Sequence, residues 1–354
     1  MSRFLGLGMT HYPLLAGTDE HMAGLLRWTL ADPDIPEAEK DPASWPAGMR
    51  AEWGEDQGRA AAAGHRARLL DGLRRCRAAL DEFAPDLVVV WGDDQYENFR
   101  EEVVPPFCVL AYDDLRVPAF EVMNERGSPN VWGLPDDFEI TLHGDAARAR
   151  GLADGLLNDG VDMAYSYRKR AGAHFPHAIL NTQLFLDYEH AGAEFPYRIL
   201  PVTVNCYGQH AIARKGGLAR FADISREQLD PVGPTPARCV AVGRAIARHF
   251  LKQDLRVAFI ASSSWSHAFL ADALWHIRPD TEADERLYRM LVEGRYDELA
   301  ATSTREVVHS GQHEMLNWFC LVGAVQELGL DLTWSTMVTT DVFNSNKPFA
   351  VYQG

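Results

Sequence analysis

A single α/β domain with a central sheet flanked by helices is predicted from three features of the sequence. Its 354 residues are enough to bury a core that needs no disulfide or metal staples. Short, continuously apolar runs alternate with segments of helical periodicity, the grammar of strand, helix, strand. Polar residues able to do chemistry gather directly after the apolar runs, where open α/β sheets place their ligand crevice.

The elements follow in order. Phe4 to Met9 reads as a first strand that delivers His11 at its C-terminal end and is stopped by Pro13. Residues 17 to 58, rich in Asp, Pro, Glu and Trp, read as a surface excursion of short helical pieces. From Arg59 to Phe83, Leu69, Leu70, Leu73, Leu80 and Phe83 recur at helical spacing, and Ala84-Pro85-Asp86 ends the helix. Leu87 to Trp91 is apolar at every position, as a strand buried on both faces should be, and empties into Gly92-Asp93-Asp94-Gln95. Phe107–Ala111, Arg198–Val202 and Val257–Ala261 read as further strands, the last directly preceded by a helix from Pro236 to Leu251. A final helix opens near His309 to Trp318 and runs on through Cys320, Leu321 and Val325. No internal repeat, low-complexity tract or long linker divides the chain, so residues 1–354 are expected to form one domain.

Composition narrows the function. With 47% hydrophobic and 24% charged residues the chain is an ordinary globular protein. Thirty-four Lys+Arg against 50 Asp+Glu give a net charge of −16, a field that repels nucleic acid. The densest basic clusters, Arg74-Arg75 and Arg168-Lys169-Arg170, read as solvated surface. Five scattered cysteines without a C-x-x-C pair predict reduced, buried thiols and a cytoplasmic setting. No apolar run suits a signal peptide or a membrane span.

Four stretches carry candidate chemistry. His11 alone is weak evidence. Gly92 to Phe99 packs three carboxylates, two amides and a phenol behind a buried strand, a costly way to build a turn, although Asp94 also suits a capping role. Ser262-Ser263-Ser264-Trp265-Ser266-His267 presents a histidine after another buried strand. Without a G-x-S-x-G elbow, His267 is a better acid/base than any of these serines is a nucleophile. His309 and His313, at i and i+4, can share a helix face as two metal ligands do, but the order is not H-E-x-x-H.

Taken in order, T-H-Y-P, V-V-V-W-G-D-D-Q-Y-E-N-F, H-F-P-H-A-I-L, I-L-P-V-T-V-N, T-P-A-R-C-V-A-V-G-R-A-I, S-S-S-W-S-H and G-Q-H-E-M-L-N-W resemble the type III extradiol ring-cleavage dioxygenases, the family of the protocatechuate 4,5-dioxygenase catalytic β subunit. The resemblance implies a mixed central sheet and a non-haem Fe(II) held by two His and one Glu, a face that leaves adjacent positions for a catecholate and O₂. His11 and Glu314 match the first His and the Glu ligand. His267 matches the acid/base. His174, with His177, falls where the family has a second pocket histidine. Tyr96, Asn98, Trp265, Tyr207 and Tyr112 are candidate substrate walls by loop position.

The departure is at the second His ligand, where this chain has Gln95. An amide oxygen is a weaker donor to Fe(II) than imidazole. Three outcomes follow: Gln95 ligates iron or another divalent metal, a nearby histidine substitutes, or the metal is lost. The expected function is therefore Fe(II)-dependent opening of a catechol-like ring by O₂. The alternatives are non-oxidative chemistry on an aromatic substrate with an altered or absent metal, or a non-catalytic binding homologue. A homo-oligomer, with or without a small α-type subunit, is expected, with no nucleic-acid or membrane partner.

Overall fold

The computed structural model describes residues 3–121, 128–210, 214–215, 219–224 and 229–354. Ten strands are present among them: β1 (Phe4–Met9), β2 (Leu87–Asp93), β3 (Phe107–Leu110), β4 (Leu115–Pro118), β5 (Glu139–Leu142), β6 (Ala164–Ser166), β7 (Ile199–Val204), β8 (Val257–Ser262), β9 (Asp331–Val338) and β10 (Lys347–Gln353). Eight form one mixed sheet in the order β6-β3-β7-β2-β8-β1-β10-β9, and β4 pairs with β5 separately. The longer helices are α1 (Arg59–Phe83), α2 (Ala146–Asn158), α3 (His177–Leu186), α4 (Pro236–Leu251), α5 (Thr281–Val292) and α6 (Met315–Leu328).

The apolar strands are buried on both faces because helices cover both. Along β2, Val88 and Val90 join one core with Leu69, Leu73 and Leu80 of α1 and Ile179 of α3. Leu87, Val89 and Trp91 point the other way, into a core with Leu152 of α2, Val242 and Ile246 of α4, and Phe319 and Val322 of α6. This period-two division is what an uninterrupted apolar strand predicts when no face is left to water.

Two readings change. The segment 17–58 is built of short helical pieces, but it does not lie loosely on the surface: Met22, Leu26, Ile35, Trp45, Met49 and Trp53 are buried. The chain also ends in an antiparallel pair, β9 and β10, with β10 antiparallel to β1. All five cysteines are free and buried. No helix of the described residues is long and apolar enough to cross a membrane.

His65 of α1 is buried in this core, its ring 4.7 Å from that of Phe343. Burial, then the charges of Lys347, Arg68 and Arg66, hold its pKa well below 6.5. The unfolded chain takes up a proton at this histidine near pH ~6.5 while the folded chain does not, so folding stability rises with pH across the window below that value. The melting temperature is therefore expected to fall on acidification below about pH 6.5, and less steeply in His65→Phe. Parallel slopes for the two proteins would remove His65 from the account.

Candidate active site

Parallel pairing fixes where the functional loops emerge. In register, Met9 of β1 faces Ser262 of β8, and Trp91 of β2 faces Ala261. The segments leaving these three strands therefore start side by side, and they carry His11, Asp93 to Gln95, and Ser263 to His267.

Glu314 arrives from α6, which it precedes. Helix α6 lies low on the sheet because β1 offers glycine beneath it: a Cβ on Gly8 would stand 2.1 Å from the Trp318 ring. The Trp318 indole donates to the Ser263 carbonyl at 3.1 Å, and the Ser263 hydroxyl donates to the Glu314 carbonyl at 2.9 Å. The helix N-terminus also favours a carboxylate at this position.

These elements converge. His11 Nδ1 donates to the Ser262 carbonyl at 2.7 Å, which leaves Nε2 as the free lone pair. That nitrogen is 3.5 Å from Glu314 Oε2 and 3.8 Å from Asp93 Oδ1. One ligand atom from each of His11, Asp93 and Glu314 lies within 4.8 Å of the others, and all three residues are buried. Gln95 Nε2 donates to Asp93 Oδ2 at 2.7 Å and Glu314 Oε1 at 3.1 Å. The Tyr207 hydroxyl donates to Glu314 Oε1 at 2.6 Å. Glu314 Oε2 is buried without a hydrogen-bond partner among the described residues.

Burial dominates the electrostatics. It lowers the His11 pKa to about 4, against the pull of Asp93. Burial and then the neighbouring charge of Asp93 push Glu314 well above the carboxylate range. Tyr207 is likewise raised, by burial and then by Glu314. Buried like charges of this kind are costly unless a proton or a cation compensates them.

His267 holds its ring by a 2.7 Å hydrogen bond from Nδ1 to the Trp265 carbonyl, and its Nε2 is 3.3 Å from Glu314 Oε1. Burial and the proximity of His11 keep its pKa well below the ordinary value. His177 opens α3, and its Nδ1 meets Glu97 Oε1 at 2.7 Å. Burial opposes the Glu97 charge, yet His177 outweighs it and holds the Glu97 pKa below its usual range.

The cleft is lined by His11, Gln95, His177, His267 and Glu314, with Leu14, Leu25 and Phe269 supplying apolar wall. His174 lies outside this lining, its Nδ1 2.7 Å from Glu121. Trp265 is core, its ring 5.4 Å from that of Trp318. Tyr96 adopts φ +65° with the Arg100 guanidinium 5.4 Å from its ring. Asn98 is buried, accepting from the Arg170 amide at 3.4 Å. Tyr112 bonds Ser166 at 3.1 Å. Tyr207 meets Glu314 rather than the open space. His309 and His313 share no helix face, because the helix Thr304–His309 ends and Gly311 turns at φ +65° before α6.

Asp93 was read from sequence only as part of a polar turn. Of the two consecutive aspartates it is Asp94 that closes the turn, accepting from the Glu97 amide at 3.0 Å and the Asn98 amide at 3.2 Å, and no helix follows it for it to cap. The second acid was the available signal: one turn needs one carboxylate.

Residues 228–352 match the model of the catalytic LigB subunit of aromatic ring-opening dioxygenase. Over this stretch the chain is similar to the LigB family. The motif resemblance is thereby borne out. Among related proteins, the 2,3-dihydroxyphenylpropionate/2,3-dihydroxicinnamic acid 1,2-dioxygenase of Comamonas testosteroni is 28% identical over 219 residues, 61% of this chain and 53% of that protein. The corresponding dioxygenase 2 of Pseudomonas putida is 28% identical over 235 residues, 62% and 60%. That of Paraburkholderia xenovorans (strain LB400) is 27% identical over 273 residues, 72% and 79%. The match thus spans little more than half the length of the first two relatives. His267 and Glu314 fall inside the LigB-matched stretch, whereas His11, Asp93 and Gln95 lie before it.

Proposed function

We propose that this chain opens a catechol-like aromatic ring with O₂, using Fe(II) held in the cleft. The observation that carries this reading is the meeting of His11, Asp93 and Glu314 within 4.8 Å, beside His267 and His177 in one pocket. The donors fit such an ion: a lone imidazole nitrogen and a buried carboxylate oxygen without a partner are groups a hard or borderline dication satisfies. When bound, Fe(II) supplies two adjacent coordination positions for the catechol oxygens and a path for electrons from ring to O₂.

The protein's own part is orientation and proton handling. Leu14, Leu25 and Phe269 give the ring an apolar wall. His267, held neutral by burial and fixed through Nδ1, presents Nε2 to take a catechol proton. His177, oriented by Glu97, offers a second proton-exchanging nitrogen at the same cleft. The names of the relatives direct the first trial to 2,3-dihydroxyphenylpropionate. Protein loaded anaerobically with Fe(II) is expected to consume O₂ on addition of that compound or another catechol, with a ring-opened product absorbing in the visible. Metal uptake without O₂ consumption across a catechol panel would favour non-oxidative chemistry, and neither metal uptake nor consumption would favour a binding protein.

A further inference from the structure

We propose that Asp93 is the third protein ligand of this site, and that Gln95 is not a ligand but an amide clip that aims Asp93 and Glu314 at one point. The inference rests on the metal-dependent reading above and concerns only which side chains hold the ion.

Both hydrogens of the Gln95 amide are committed. Its Nε2 lies 2.7 Å from Asp93 Oδ2 and 3.1 Å from Glu314 Oε1. Turning the amide over would set its oxygen against two carboxylate oxygens, so the network admits one orientation. In that orientation the amide oxygen is turned away from the carboxylates that a ligand would have to join.

Each carboxylate is thereby divided. One oxygen, Asp93 Oδ2 or Glu314 Oε1, is occupied by Gln95. The other, Asp93 Oδ1 or Glu314 Oε2, is directed to His11 Nε2, at 3.8 and 3.5 Å. Asp93 Oδ1 has one further contact, a 3.3 Å hydrogen bond from the Asn317 amide, and Glu314 Oε2 has none among the described residues. His11 is fixed from behind by Ser262, so its nitrogen faces the same point. Outer partners that orient a ligand through its second atom are the usual support of a metal site.

Charge leads to the same assignment. Asp93 and Glu314 are 0% and 1% exposed, and their ion-pair contacts among the described residues are to His11 and His267 alone. A dication between two carboxylates is neutralised, which a His, a Glu and a neutral amide would not achieve. The site becomes one imidazole and two carboxylates. Such a set is harder than two imidazoles and one carboxylate, so it favours Mn(II) and Fe(II) relative to Zn(II) and Cu(II) more than the two-His face does.

The test is metal binding by the full chain, stripped with chelator and titrated without O₂. Free Mn(II) is read by electron paramagnetic resonance, and Fe(II) binding by calorimetry. Asp93→Asn, which keeps the shape and one acceptor oxygen but sets an amide N–H against Gln95 or Asn317, is expected to weaken Mn(II) and Fe(II) by more than ~100-fold, beyond what loss of an outer partner costs. Gln95→Ala is expected to weaken them by about 10–100-fold, the range for an outer partner, since it removes orientation and not a donor. Retained affinity in Asp93→Asn together with lost affinity in Gln95→Ala would overturn the assignment and make Gln95 the ligand. Wild-type protein that binds neither ion would end both this assignment and the metal-dependent reading. Wild-type protein that binds through Asp93 yet consumes no O₂ would end only the reading as a ring-opening dioxygenase.

Discussion

Glu314→Ala is expected to abolish Fe(II) binding, while His267→Ala is expected to keep the metal and lose turnover by about 10²–10⁴-fold, the range of general acid–base catalysis. The two residues are close, with His267 Nε2 3.3 Å from Glu314 Oε1, so proximity alone does not separate their roles. Their attachments do. Glu314 shares its free oxygen with the His11 and Asp93 corner, and removing it leaves a hole in the donor set. His267 contacts only the oxygen already held by Tyr207 and Gln95, and it faces the cleft. Anaerobic calorimetry with Fe(II), followed by O₂-electrode rates on the same samples, distinguishes the cases. Equal metal loss in both variants would make His267 a ligand and leave the proton unassigned.

The same pair illustrates what the sequence disclosed. His267 and Glu314 are legible because each sits at a fixed step from a strong element: one after the buried strand Val257–Ser262, the other just before an apolar helix. His11 is legible for the same reason. Helix α1 was legible to its last residue, since Ala84-Pro85 cannot continue it. The roles of His174 and His177 were not separable, because which of two nearby histidines enters a cleft depends on where a helix starts. Here Pro176 precedes α3, and His177, at its first position, turns to Glu97. Asp93 was hidden by Asp94, whose expected capping role gave both acids one explanation. The β9 strand was missed because its residues are mostly half-buried, so it lacks the continuous apolar run that marked the central strands.

The placement of Glu314 depends on a helix crossing that glycine alone permits, and this gives the largest stability effect expected. Helices α4 and α6 face each other through two glycines. A Cβ on Gly243 would lie 1.8 Å from the Cys320 carbonyl oxygen, and one on Gly323 would lie 2.0 Å from the Val240 carbonyl oxygen. Both obstacles are backbone, so no rotamer change relieves them. The helices must move apart, opening the core that Val242, Ile246, Phe319 and Val322 share with the sheet. Overpacking of this kind costs about 1–3 kcal/mol and more where backbone must shift. Gly323→Ala is therefore expected to lower stability by at least that amount, despite the ~1 kcal/mol that alanine gains over glycine in a helix. Gly151→Ala is the internal comparison: it is also inside a helix, α2, but a Cβ there meets nothing within 4 Å, so it should stabilise by up to about 1 kcal/mol. Combining Gly243→Ala with Gly323→Ala should cost less than the sum, because one separation of the helices relieves both collisions. Denaturant unfolding of wild type, the three single variants and the double variant measures this. A Gly323→Ala variant as stable as Gly151→Ala would mean that α4 and α6 do not cross so closely, and Glu314 would then lack the support that this close packing gives it.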